Sequence, residues 1–509
     1  MSQLASLLEG FALISGPFVL AMIFLGVLIG LIVGAMPGVG PVPGIAIVLP
    51  LTLELDQWEA LTLLFAVYVG SMYGGAVSAI LLNIPGTPGA IASTFDGYPM
   101  SLRGEAKKAI QTSVISSSVG TVLAAVLLIV SVPIILSLVA LVGTPEYALF
   151  AIFGLTIIPL VSQYSMSKAL MMGAFGVLIS TVGRPPMSSI PRFNLGTLQL
   201  TDGVTFVAVI LGIFAISEML KLVPYEGCLA NSQGGGRQKA ADPDGSYFNI
   251  KEIKDRWSDI FIRNPLTFLK SVIIAIFIGF IPAAGGAVSN ILAYATEKST
   301  AANNANFGKG DIRGVISAES ANSGTIASTF VPLLAFAIPG SPTSAVILGG
   351  MLMHGLVPGP GMFQGSVHVS YATFLSVGIG GIFLLFIGLL TAKHLSQVAY
   401  LDMKLTVPPV IILCMIGTYA LSLSMLDVMT AIIFGVLGYM MIKYNYSIIS
   451  FILGLILGPI IENNVFRSLE LGDVGIFVGA PLRILLIVLI VGSLLLPTIT
   501  TIKNRNSNT

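Results

Sequence analysis

The sequence predicts an all-α protein that crosses a bilayer many times, built as two copies of one repeat around interrupted helices. Three observations carry that expectation. Only 9% of the 509 residues are charged and 55% are hydrophobic, whereas soluble domains carry roughly 25% charged residues, so the charges present cannot coat a water-soluble body of this size. Apolar runs close to the roughly 20 residues that span hydrocarbon recur along most of the chain. One long polar stretch then separates two apolar halves that carry the same short motifs in the same order. A β-barrel is excluded, because its strands would alternate polar and apolar residues in short segments.

Composition also narrows the function. A net charge of +1 leaves no nucleic-acid footprint. Cys228 and Cys414 stand far apart and suggest neither a disulfide framework nor a thiolate metal site. His354, His368 and His394 are too scattered for a zinc motif. The N-terminal run from Met1 to Phe24 lacks a basic leader and a small-residue cleavage site, so it reads as a retained first helix.

In chain order, an apolar helix from Phe11 to Met36 ends at Pro37, and a short apolar piece runs from Pro41 to Pro50. A helix from Trp58 to Asn83 is broken by Ile84-Pro-Gly-Thr-Pro88. Apolar segments follow at Ile110 to Val142, Tyr147 to Val182 and Val204 to Val223, closing a first repeat at residues 1–224. Residues 225–264 form a polar linker with a Gly-rich run and a cluster of Lys and Arg, which places it in the cytoplasm by the positive-inside rule. The second repeat, 265–509, opens with Thr267 to Ile281, broken at Pro282, and Ile312 to Ile338, broken at Pro339. Segments at Ser344 to Leu356, Ala372 to Ala392, Val407 to Leu423, Val428 to Ile442, Ile448 to Ile461 and Val474 to Leu496 complete it.

The halves echo each other. Gly34-Ala-Met-Pro-Gly-Val-Gly40 matches Gly279-Phe-Ile-Pro-Ala-Ala-Gly285 in the spacing of Gly, Pro and Gly. Asn83-Ile-Pro-Gly-Thr-Pro88 matches Ala337-Ile-Pro-Gly-Ser-Pro342. Later, Phe153-Gly-Leu-Thr and Phe175-Gly-Val-Leu-Ile find counterparts in Ile416-Gly-Thr-Tyr and Phe434-Gly-Val-Leu-Gly. Order and rough spacing are both kept, as an internal duplication would leave them. Whether the copies are inverted or parallel depends on the number of crossings in each; inverted repeats are the commoner plan where interrupted helices build the site.

The breaks are where chemistry is expected. Proline removes a backbone donor and glycine opens tight or left-handed conformations, so carbonyls and amides lose their helical partners. In hydrocarbon each orphan costs several kcal/mol, so a break must face protein or a water-filled cavity. A helix N-terminus beyond a break aims N–H groups at an anion, and unwound carbonyls coordinate a cation such as Na⁺. The expected anion-binding set is therefore Gly38, Gly40, Asn83, Gly86, Thr87, Pro88, Asn322, Ser323, Gly340, Ser341, Pro342 and Ser344. The expected cation-binding set is Pro37, Asn83, Pro85, Pro282, Gly285, Asn290 and Pro339, with Asn322 a further side-chain ligand. The tips around Pro37–Gly40 and Pro282–Gly286 are expected to face the breaks near mid-membrane.

Other motifs have plainer readings. Gly26-Val-Leu-Ile-Gly30-Leu-Ile-Val-Gly34 permits close helix approach. Glu319, shortly after Lys309 and Arg313, is placed near the membrane surface. Arg184 and Arg192 bracket a Pro-rich loop that reads as interfacial. Gly308-Lys-Gly-Asp311 fits the GxGD pattern of intramembrane aspartyl proteases, but its polar neighbours mark a loop and no catalytic function is assigned. A channel is the alternative to a transporter; paired breaks with hydroxyls suit an occluding site better than an open pore.

The run from Gly34 to Met100, the run from Glu319 to Pro360, the region of Ser180-Thr-Val-Gly183 and Pro191-Arg-Phe-Asn-Leu-Gly196, and Gly454 to Asn464 closely resemble the large membrane subunit of tripartite tricarboxylate transporters. The likeness covers nearly the whole chain, and ordered stretches such as Asp96-Gly-Tyr-Pro-Met100 and His354-Gly-Leu-Val-Pro-Gly-Pro360 make it specific. It implies a multi-pass protein of the bacterial inner membrane working with a small four-helix membrane subunit and a periplasmic solute-binding protein. The implied substrate is a di- or tricarboxylate driven by a cation gradient, usually Na⁺, with no other cofactor. The implied mechanism is an elevator, in which a transport domain carrying the breaks slides against a scaffold. One departure stands out: Ala283 follows Pro282 where the family often has glycine, which stiffens that tip and weakens its case as an ion site.

Overall fold

The computed structural model describes residues 3–36, 38–161, 165–185, 188–224, 247–282, 284–301, 306–398 and 403–506. Among them the fold is all helical; the one sheet-like feature is an isolated bridge between Gly183 and Arg192. Among the described residues six helices are long and apolar enough to cross a membrane, or seven if Ile250–Arg263 and Pro265–Gly279, bent by 78°, count as one span. The chain is a multi-pass membrane protein. Its surface agrees: Val130, Ile134 and Leu138 project outward from one helix and Ile484, Leu485 and Val488 from another, where lipid rather than water is the matching solvent.

Helices α1 (Gln3–Ile14) and α2 (Pro17–Ala35) replace the single first helix that the sequence suggested. Gly16-Pro17 separates them, because proline is accommodated at the first turn of a new helix and not inside the old one. After α2 come α3 (Pro41–Val48) and α4 (Gln57–Leu82). Helix α4 is the centre of the molecule, with its membrane-length window wholly buried. Its start is fixed by the Asp56 N–H donating to Glu59 Oε2 at 3.1 Å, half of a capping box.

Helix α2 packs along α4 through glycine. A side-chain carbon on Gly30 would strike the backbone of Val67, Gly70 and Ser71, and one on Gly74 would strike that of Leu31 and Ala35. The small-residue pattern in α2 is thus used for close backbone approach. Next are α5 (Ile91–Leu102), α6 (Ala106–Val139), α7 (Thr144–Val161) and α8 (Met166–Ser180). Helix α9 (Phe206–Ile210) passes through a π-helical turn, Leu211–Ile216, into α10 (Ser217–Leu222).

Most of the polar linker, including Cys228, lies outside the described residues; its end forms α11 (Ile250–Ser258). The second half then gives α12 (Pro265–Gly279), α13 (Gly285–Thr300), α14 (Ile312–Ser328) and α15 (Phe330–Phe336). The sequence reading had α14 and α15 as one helix. Pro332 cannot donate to Ser328 and its ring crowds that turn, so the helix is interrupted at Thr329. Helices α16 (Pro342–Met353), α17 (Pro360–Gly365), α18 (Val367–Val398), α19 (Met403–Ser422), α20 (Met425–Lys443), α21 (Ile448–Leu471) and α22 (Pro481–Asn506) complete the chain.

Helix α14 is buried from Gly314 to Ser328 and packs on α6, α12 and α13. It therefore lies beside α4 in the interior, which brings polar residues of the two halves together. Elsewhere α8 and α21 cross at glycine: a side-chain carbon on Gly176 would meet the backbone of Phe451 and Leu455, and one on Gly454 that of Gly173 and Val177. Helix α21 also runs ten residues past its expected end at Ile461, through Pro459, with Asn464 Nδ2 donating to the Ile460 carbonyl at 2.8 Å.

Candidate functional site

The two breaks have one construction. Asn83 (φ 59°) and Ala337 (φ 55°) both sit in the left-handed region. At the first break the Asn83 N–H donates to the Ala79 carbonyl at 3.1 Å and the Ile84 N–H to Ser78 at 3.4 Å. At the second the Ala337 N–H donates to Leu333 at 2.8 Å and the Ile338 N–H to Pro332 at 3.1 Å. Each α-helix is thus closed by a left-handed residue followed by a donor reaching back over the last turn. Asparagine tolerates that conformation; alanine adopts it at a cost of about 1–2 kcal/mol. Asn83 is exposed, whereas Ala337, Ile338, Pro339 and Gly340 are all buried.

Past each cap the chain presses a glycine against backbone. Gly86 donates to the Gly75 carbonyl at 3.2 Å, and a side-chain carbon there would meet the Gly34 carbonyl and Gly75. Gly340 stands in the same relation to the Gly279 carbonyl and Thr329. The tips approach their own breaks: Gly40 (φ 65°) points at the Gly86 carbonyl and Gly285 (φ 53°) at the Ser341 Cβ. Pro37 and Ala283 lie outside the described residues. Pro282 and Pro85 are half-buried, and Gly38 and Pro88 are exposed.

The next helices start differently. Ser341 and Ser344 form a reciprocal cap on α16: the Ser344 N–H donates to Ser341 Oγ at 3.0 Å and the Ser341 N–H to Ser344 Oγ at 2.9 Å. Pro342 occupies the first turn. Thr87 precedes a short 3₁₀ turn, Pro88–Ala90, and α5; its hydroxyl makes no cap bond and, though buried, has no hydrogen-bond partner. Asn290 is fully engaged, accepting from the Ala92 N–H at 2.9 Å and donating to the Ala318 carbonyl at 3.2 Å, which ties α13 to α5 and α14.

Between the breaks, α4 and α14 exchange polar contacts. The Tyr68 hydroxyl of α4 lies 3.1 Å from Ser341 Oγ in the second break. Asn322 of α14 donates through Nδ2 to the Met72 carbonyl at 3.2 Å. Its Oδ1 is turned toward Gly89, just past the first break, and Gly286, just past the second tip. That oxygen is buried without a partner, as is the neighbouring Ser323 hydroxyl. Leaving such a group unsatisfied costs about 1–3 kcal/mol, so Asn322 Oδ1 and Thr87 Oγ1 are buried oxygens with capacity for a water, an ion or a ligand.

Three important groups were not expected. Tyr68 was missed, although its offset from Asn322 equals that of Asn83 from Ala337, so aligning the two break motifs would have found it. Asp96, in α5, is fully buried. Its Oδ1 accepts the N–H groups of Gly308 at 2.9 Å, Gly310 at 2.8 Å and Asp311 at 2.8 Å, and its Oδ2 accepts the Tyr294 hydroxyl at 2.9 Å. The GxGD-like loop is therefore wrapped around a carboxylate, while Asp311 itself pairs with Arg313 at 2.6 Å. Glu319, expected near the surface, is fully buried and accepts hydroxyls from Ser93 and Ser117. It lies beyond the first turn of α14, past Arg313, on a helix with no exposed face.

A cavity of about 640 Å³ opens beside the second break. Ala337 and Leu348 form part of its wall, and Arg184, Arg192, Asp202, Glu462, Asn463 and Asn464 line it as well. Arg192 pairs with Glu462 at 2.8 Å. Arg184 is exposed and has no ion-pair partner among the described residues.

A family model described as the tripartite tricarboxylate transporter TctA family matches residues 20–453. An Agrobacterium vitis protein described as an uncharacterized 52.8 kDa protein in the TAR-I ttuC' 3'region is 29% identical over 486 residues, 95% of this chain and 93% of its own. A second from that organism, an uncharacterized protein in the TAR-II ttuC' 3'region, is 30% identical over 207 residues, 40% of this chain and 86% of its own. No solved structure matches.

Proposed function

The chain belongs to the tripartite tricarboxylate transporter TctA family, and we propose that it is the permease of a cation-coupled importer of a di- or tricarboxylate. On this reading it sits in a bacterial inner membrane. A small membrane subunit completes the permease, and a periplasmic binding protein delivers the anion. Na⁺ is the coupling ion, carried as a co-substrate. The two halves are inverted repeats, and the breaks ride on a body that moves against a scaffold.

The observation that carries the reading is the orphaned Asn322 Oδ1 between Gly89 and Gly286. One Nδ2 hydrogen goes to the Met72 carbonyl, and the atom left with no partner at all is the acceptor Oδ1. An acceptor attracts a cation and repels a carboxylate. We therefore assign Asn322 to the cation, one of the two roles the sequence had suggested for it, and place Thr87 Oγ1 with it, although the sequence had suggested the anion for Thr87. The anion is assigned to the second break. There α16 presents its positive end behind the Ser341–Ser344 cap, and the cavity with Arg184 approaches Ala337 from outside. The two charges then neutralise each other between α4 and α14.

Reconstitution of the complete transporter tests this function. Saturable uptake in fixed ratio to Na⁺ supports it; a passive anion current without coupling would show a channel instead.

A further inference from the structure

We propose that Glu319 is a second cation site, in which a monovalent cation, Na⁺ or a proton, compensates a carboxylate buried between α14, α6 and α5. The inference rests on the transport reading for its role in coupling, but the site itself is argued from the side chains. Glu319 is fully buried. Its two oxygens accept Ser93 Oγ from α5 and Ser117 Oγ from α6. Hydroxyl groups satisfy the lone pairs without cancelling the charge.

No protein cation does so among the described residues. On the packed elements Lys107 pairs with Glu252, Lys108 with Glu105, Lys270 with Glu297 and Arg313 with Asp311, and Lys298 is exposed in the last turn of α13. On α5, Asp96 is held by its backbone clasp and by Tyr294 of α13. From α4 the buried Tyr73 phenol is the titratable group near Glu319, and a phenol adds no positive charge. An uncompensated carboxylate in a dry interior costs far more than a neutral polar group. A resident cation removes that cost.

The surroundings are supplied with oxygen. Ser116 of α6 and Ser320 of α14 are buried with no partner, and Ser113 of α6 stands at the buried Tyr73 hydroxyl of α4. Ser113 lies one turn before Ser117 on the same face of α6, and Gly120 lets α6 approach the Ser320 backbone. A helix serine commonly discharges its hydroxyl on the carbonyl one turn back. Ser116 and Ser320 do not, so their oxygens stay free to face a cation. The cluster is distinct from the orphans at the breaks, because it uses neither break nor tip.

The test needs neither substrate nor partner subunits, so it stands even if the transport reading fails. The purified full chain would be compared with Glu319→Gln in two arms. One measures equilibrium ²²Na⁺ binding at fixed pH. The other follows the thermal midpoint across pH in choline chloride, since a ligand bound only by the folded state raises stability. In the Na⁺ case, the variant binds one Na⁺ fewer per chain. In the proton case, it loses the pH dependence that the wild type shows. A variant that matches the wild type in both arms overturns the proposal. If Glu319→Gln is not recovered folded, Glu319→Asp keeps the charge with a shorter reach. It is expected to shift the half-saturating Na⁺ or the midpoint pH, and an unmoved response in both arms would equally overturn the proposal.

Discussion

The Tyr68 hydroxyl lies 3.1 Å from the Ser341 hydroxyl, joining the centre of α4 to the break that opens α16. The contact spans the two apolar halves of the chain and ties a buried helix to the second break. Tyr68→Phe removes one hydrogen bond and keeps the ring, which packs edge-on against Phe330 at 6.2 Å. The expected loss of stability is about 1 kcal/mol, with a larger half-saturating anion concentration in uptake. Unchanged anion affinity would detach Tyr68 from the site.

Thr87→Ala and Ser341→Ala are expected to part ways. Thr87 Oγ1 has no partner to lose, so its removal should leave the thermal midpoint nearly unchanged and weaken transport affinity. Ser341→Ala breaks the reciprocal cap with Ser344 and should cost about 1 kcal/mol besides its effect on affinity. Paired melting curves and uptake kinetics read both. Equal stability losses would contradict the asymmetry between the breaks.

Ala337 holds a left-handed conformation that glycine adopts freely. Ala337→Gly should raise stability by up to about 1 kcal/mol, read from the thermal midpoint. Gly340→Ala should do the reverse: its side-chain carbon would meet the Gly279 carbonyl and Thr329, and overpacking of this kind costs about 1–3 kcal/mol. A stabilising Gly340→Ala would refute the described packing.

Asp96→Ala strips three backbone N–H groups and the Tyr294 hydroxyl of their acceptor. Each buried donor left unsatisfied costs about 1–3 kcal/mol, so the loop around Gly308 should become the first site of limited proteolysis. A cleavage pattern like the wild type's would mean that other groups hold the loop.

The outline of this protein was legible because hydrocarbon constrains it tightly. Low charge and long apolar runs leave only helices, and Pro-Gly pairs mark where those helices stop. Asn83 and Ala337 could be placed at breaks from neighbouring prolines and glycines alone. Smaller interruptions were not legible: Gly16-Pro17 looked like helix, and Pro332 acts at Thr329, before the proline itself. At its far end α21 continues to Leu471 through polar residues beyond the expected Ile461. In the candidate site, Thr87 and Ser341 were legible as candidates because they flank a break, and Asn322 because it is polar on the apolar helix that leads to one. Their individual roles were not visible, because they depend on which lone pair a neighbouring helix has already taken. Asn290 is fully engaged by Ala92 and Ala318, while Asn322 keeps a free oxygen. No local pattern separates the two. Asp96 and Glu319 were obscured for the same reason, since their partners come from distant segments.

The measurement that bears most directly on the cation assignment is the Na⁺ dependence of anion uptake for the wild type and Asn322→Ala. Both would be assayed in proteoliposomes with the partner subunits, choline holding ionic strength and pH fixed. Loss of one oxygen ligand is expected to raise the half-saturating Na⁺ about tenfold, equivalent to about 1.4 kcal/mol. Anion affinity at saturating Na⁺ should stay near the wild-type value. A variant with wild-type Na⁺ dependence and weakened anion affinity would place the anion, not the cation, at Asn322.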